Sequence, residues 1–279
     1  MTTSAPATLT RRSPVGPATF GRQVAGEWIK ARSLRSTWWV LALGTALLPA
    51  FAVSRMASIA QVPEAVGSET LVGAAYATSG VALAQLAFAV LGVLAIAGEY
   101  GSGQIRTTLT VVPSRTTAIT AKLLVTVGMV VLAAAFAVAL SWALCAAWFD
   151  QTGMSIDLTR AEDARIMLGA PLYLGAITAL AFGIAAVVRS SVAGIAIVLG
   201  LLLVVENLLA VIPWSPLQDL AAYLPSSAGS RLLLAEAAGS VITASNSTLL
   251  GPWVGFAVLL GWSAALLVVA GVLLRRRDV

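Results

Sequence analysis

Six long apolar blocks, nearly free of charged residues, dictate most of what this chain can fold into. They run over Ser36–Ser54, Ser79–Gly98, Thr120–Phe149, Ile166–Val188, Ser191–Ile212 and Trp253–Leu274. A bilayer core of about 30 Å takes about 20 helical residues to cross. Backbone polar groups inside that core must be satisfied within the segment, so each block predicts a transmembrane α-helix. The third block is too long for the core at about 1.5 Å per residue and predicts a tilted or projecting helix. The fourth and fifth blocks are separated only by Arg189 and Ser190, which leaves room for a tight turn. Trp38, Trp39, Trp148 and Trp253 lie near block ends, where an aromatic belt would place them.

Composition agrees. Hydrophobic residues make up 59% of the 279, and charged residues only 10%, against about 25% in a soluble domain. The fold class expected is all-α integral membrane, with six transmembrane helices. Residues 1–19 read as a disordered cytoplasmic arm, with Pro6, Pro14, Pro17 and many Ser and Thr. No apolar stretch follows Arg11 and Arg12 directly, as a secretory signal would require. Residues 20–35 read as an amphipathic interfacial helix: Phe20, Val24, Trp28 and Ile29 approximate one face, and Arg22, Lys30, Arg32 and Arg35 supply charge. Residues 36–279 form the six-span domain. The interrupted stretch from Pro213 to Pro252 predicts an external loop with short helices or a segment that dips back into the membrane.

The net charge of +5 sits at the ends of the apolar blocks, which points to membrane topology and not to nucleic acid. With both termini cytoplasmic, only Arg55, Arg160, Arg165 and Arg231 of the 17 Lys and Arg fall outside. The inverted arrangement would reverse that asymmetry, so the positive-inside rule puts both ends inside; a multi-pass protein of the cell (plasma or inner) membrane is expected. Cys145 is the single cysteine and there is no histidine, which removes the commonest general base and any His/Cys metal cluster. No catalytic or metal-ligating residue is expected, and an intramembrane enzyme has little chemistry to draw on.

The most informative stretch joins the second and third blocks. Gly98, Glu99 and Tyr100 end the second. Gly101 and Gly103 should stop the helix. Ile105, Leu109 and Val112 then recur at i, i+4 and i+7, one apolar face of a short helix. Pro113 stops it, and Ser114 or Thr116 can cap the third span. The product would be a short amphipathic helix at the cytoplasmic surface, tethered to two membrane helices and able to pass on displacement from a soluble partner. The other reading of Glu99 and Arg106 is an ordinary interfacial ion pair.

At these residues the sequence resembles the ABC-2 type permease family of ATP-binding-cassette transporters. The matching positions are Glu99, Tyr100, Gly103, Ile105, Arg106, Leu109, Pro113, Arg115 and Lys122, with Gln104 where the family often has Thr. The six-span plan and the long fifth-to-sixth loop match as well. The resemblance implies that Glu99 to Arg115 couples to an ATPase through a coupling helix between spans 2 and 3. It also implies a dimer with a second permease chain, and ATP and Mg held on a partner cytoplasmic ATP-binding subunit, with no cofactor in this chain. The chain lacks a phosphate loop: its two lysines, Lys30 and Lys122, follow Ile29 and Ala121 instead of glycine. The function expected is thus the membrane-spanning permease subunit of an ABC exporter. A self-contained channel or ion-coupled carrier is the alternative, and it would want several buried ionisable residues along a pathway. Glu206 with Asn207, inside the fifth block, is the one candidate substrate path; near the outer headgroups it would instead be solvated and structural.

Overall fold

A computed structural model describes residues 19–62, 71–102, 115–212, 214–235 and 250–276. Every regular element among them is helical. Six helices are long and apolar enough to cross a membrane, one for each block read from the sequence. They are α2 (Arg35–Ile59), α4 (Val81–Ser102), α5 (Arg115–Cys145), α6 (Ala161–Val188), α7 (Ser191–Leu199 with its continuation) and α10 (Pro252–Arg276). The remaining named helices are α1 (Phe20–Ser33), α3 (Gly73–Ala77), α8 (Ser215–Ala221) and α9 (Pro225–Gly229).

The fourth span is the hub. Within its most apolar window 78% of residues are buried, against 22% in the fifth span and 17% in the sixth. Spans 2, 3 and 6 all pack on it, around Phe88, Tyr173, Leu174, Ile177 and Phe182. Small residues let the helices approach: a Cβ at Gly92 would fall 2.5 Å from the Thr178 carbonyl oxygen. Spans 5 and 6 therefore sit at the periphery. Leu203, Val204, Leu208 and Val211 on the former and Trp253, Val268 and Val269 on the latter face outward, as a surface meant for lipid or another apolar chain would.

The third span continues beyond α5 through a 3₁₀ turn (Ala146–Trp148) and a short helix (Phe149–Thr152), so its helical run is longer than about 20 residues. The turn after span 4 is as tight as two residues allow. Arg189 takes a left-handed conformation at φ 60°, its N–H bonded to the Ala185 carbonyl at 2.8 Å, and Ser190 accepts from the Ala193 N–H to start α7.

α1 occupies the expected stretch, and extended Leu34 separates it from α2. Trp38 pins that corner by donating from its indole to the Arg32 carbonyl at 2.9 Å. The face turned inward is the one opposite Phe20, Trp28 and Ile29. Gln23, Val24, Glu27, Lys30 and Ala31 point toward the bundle, while Phe20, Trp28 and Ile29 are exposed. In a chain surrounded by lipid an outward apolar residue loses nothing, so hydrophobicity alone does not say which face packs.

The loop between spans 5 and 6 does contain short helices. α9 and the 3₁₀ turn after it, Ser230–Leu233, pack on spans 4 and 6, with Ala228, Leu232 and Leu233 buried. Gly255 permits the contact, because a Cβ there would collide with the Ala228 carbonyl oxygen. Gly251, its partner in small-residue spacing, faces open space.

Candidate functional site

Two clusters of polar side chains stand out, one at each end of the bundle. At the end that carries α1, four charges meet. Glu27 and Lys30 lie one turn apart on the inward face of α1. Glu99 projects from the last turns of α4, and Lys122 from the second turn of α5. The Lys122 ammonium sits 2.8 Å from Glu99 Oε1 and also pairs with Glu27 Oε2. Lys30 pairs with the same Glu99 oxygen. The side chains of Glu99 and Lys122 are 7% and 9% exposed, that of Glu27 14% and that of Lys30 31%.

Two acids and two lysines make the quartet neutral, which is what lets it be buried. Burial holds the Lys30 pKa below that of an ordinary lysine, the nearby Lys122 ammonium lowers it further, and Glu27 partly opposes both. The quartet ties three elements together: the end of span 2, the start of span 3 and α1. Between the first two runs the stretch singled out from the sequence. Gly103, Ile105, Arg106, Leu109 and Pro113 lie outside the described residues, and Arg115 is the first residue of α5. Glu99 thus finds its described partners in two lysines from distant parts of the chain.

Tyr100 makes a second tie at this end. The Arg189 guanidinium lies over its ring, 5.4 Å from the centroid, a cation–π contact that joins the end of span 2 to the turn between spans 4 and 5.

Glu206 belongs to the opposite end. The fifth span widens into a π-helical turn over Gly200–Val205 and resumes as Glu206–Val211. The wider turn re-aims the side chains beyond it, and Glu206 turns inward to 4% exposure. Its carboxylate accepts from the Ser226 N–H at 2.9 Å, the Ser227 N–H at 2.7 Å and the Ser227 hydroxyl at 2.8 Å. Tyr173 supports the same spot, donating to Gln85 Oε1 at 2.5 Å, with Ser226 Oγ 3.0 Å away. Arg165 holds the other end of the helical stretch, donating to the carbonyls of Leu232 at 2.8 Å and Leu234 at 2.9 Å. A carboxylate at the N-terminal side and a guanidinium at the C-terminal side is the arrangement that exposed helix ends prefer. Asn207 is exposed and donates to the Leu203 carbonyl at 3.0 Å.

Sequence reasoning singled out Glu99, Tyr100 and Lys122, did not pick out Glu27, and read Lys30 only as an interfacial charge. A signal existed, since Glu27 is the only acid in the first 60 residues of a basic segment. Among the described residues no group of three His, Cys, Asp or Glu could hold a metal.

No protein-family model matches this chain, and no curated protein matches it. The class that the fold defines is a multi-pass α-helical membrane protein, with six helices among the described residues long and apolar enough to span.

Proposed function

We propose that this chain is the membrane-spanning permease subunit of an ABC transporter, working as an exporter on ATP hydrolysed by a separate cytoplasmic subunit. The observation that carries the reading is the buried quartet Glu27, Lys30, Glu99 and Lys122. It bonds together the two helix ends that flank residues 103–114 and fastens both to α1. A partner pressing on that stretch would move spans 2 and 3 and α1 as one body. An ordinary connecting loop has no need of such bracing. The sequence resemblance at Glu99, Tyr100, Lys122 and the residues between supplies the identity of the partner, which would hold ATP and Mg. The thirteen-to-four distribution of Lys and Arg supports a cytoplasmic position for this end of the bundle and for both termini. The outward apolar faces of spans 5 and 6 leave room for a second permease chain as well as for lipid.

The carrier alternative gains nothing from Glu206, whose carboxylate is already committed to three donors. The test is co-expression with each ATP-binding subunit encoded nearby, followed by purification through a tag on this chain. ATP hydrolysis that copurifies, and that disappears when the tagged chain is omitted, is the expected result. A chain that purifies intact and free of every such subunit would refute the proposal.

A further inference from the structure

Behind the quartet lies a cavity of about 370 Å³. It is enclosed by α1, the first residues of α2, the last turns of α4 and the first turns of α5. Its inner wall is apolar, with Leu91, Leu94 and Ala95 from α4 and Val125 and Met129 from α5; the quartet forms its polar rim. The volume is at the small end of the roughly 300–1,000 Å³ of ligand pockets, and suits part of a single hydrocarbon chain. We propose that this cavity is a binding site for an anionic phospholipid of the adjoining leaflet, one acyl chain lying against Leu94, Val125 and Met129 and the phosphate on the Lys30 ammonium.

Charge and depth select this occupant. Lys30 is the most accessible member of the quartet, at 31% side-chain exposure, while the two carboxylates are 7% and 14% exposed. A head group arriving at the rim meets a cation first. An ammonium has three donors, and Lys30 uses one of them on Glu99. Exposed Arg32 and Arg35 on the same corner add to the positive field. A cationic amphiphile would have to reach carboxylates that the lysines already occupy. Leu34 lines the cavity and is half exposed, and Trp38 and Trp39 beside it are more so. Such a cluster of aromatic residues marks head-group depth, so a lipid head group is already at the height of the opening. The lowered pKa of Lys30, caused by burial and by Lys122, is consistent with an ammonium that gains from a nearby anion.

This inference rests on the cavity and on membrane embedding, and stands whether or not an ATPase docks. The test uses the purified chain alone in detergent, titrated with phosphatidylglycerol or phosphatidylcholine and read by native mass spectrometry. Phosphatidylglycerol should be retained about tenfold or more tightly than phosphatidylcholine: both offer a phosphate to Lys30, but the choline cation cancels the net negative charge that the ammonium attracts. Met129→Trp and Ala95→Phe fill the tail space from opposite walls and leave every charge in place; either should abolish retention. Lys30→Gln should erase the preference for phosphatidylglycerol. Equal retention of the two lipids by the parent, or undiminished retention by a folded cavity-filling variant, would overturn the proposal. If neither filling variant folds, an unchanged lipid preference in Lys30→Gln overturns it just as well.

Discussion

Replacing Glu99 by Gln tests the quartet most severely, because both lysines share its Oε1. The change keeps the shape of the side chain and deletes one of two negative charges, leaving two ammoniums against Glu27 alone. Removing one partner from a buried ion pair costs about 3–5 kcal/mol. Lys30 is nearly a third exposed and water can share its charge, so the lower end, about 3 kcal/mol, is the appropriate expectation. Lys122→Met should cost a comparable amount, since it leaves two carboxylates to share Lys30 alone. The double variant should be less damaged than the sum of the two, with a coupling of about 1–3 kcal/mol. Reversible denaturant titration in detergent micelles measures all three. Single costs below about 0.5 kcal/mol, or strict additivity, would show that the four charges are solvated independently and brace nothing.

The same geometry sets three other outcomes. A cysteine at Ser155 should react with an impermeant thiol reagent in intact cells and one at Ser114 should not, against a low background because native Cys145 is buried; the opposite pattern would invert the topology. Glu206→Ala should bare the Ser226 and Ser227 N–H groups at about 1–3 kcal/mol each, while Glu206→Gln, which keeps an acceptor, should cost less; a loss of transport at unchanged stability would instead place Glu206 on a substrate path. Lys30 should acylate at lower pH than an ordinary lysine, as peptide mass spectrometry can show. Folding lowers this pKa, so the native state binds the proton less tightly than the unfolded chain, and the cost of the buried ammonium is relieved as pH rises toward 10.5. A Lys30 that labels like an unstructured lysine would contradict its placement in the quartet.

The spans were legible because the membrane demands long apolar runs and punishes little else. The Arg189–Ser190 turn was legible because nothing else fits between two such runs. α1 shows where legibility stopped. Its residue range followed from the sequence, but what it packs against did not: the inward face is chosen by Glu27 and Lys30 meeting charges 69 to 95 residues away, which no local pattern encodes. Glu206 shows the same limit. Its depth in the fifth span could be counted, yet its capping role depends on Ser226 and Ser227, brought back by a loop whose path no local pattern encodes.

Whether Tyr100 to Arg115 docks on a separate ATPase can be decided by a single pull-down. Burying a Leu side chain contributes about 1.5–3 kcal/mol, and an aspartate in its place adds a desolvation cost. Leu109→Asp should therefore lose the ATPase on purification, at least about tenfold relative to the parent, while membrane abundance stays near normal because no span is altered. Arg106→Ala should weaken the complex or leave hydrolysis that no longer responds to this chain. If both variants sit in the membrane and retain a fully responsive ATPase like the parent, the segment is only a connecting loop and couples to nothing.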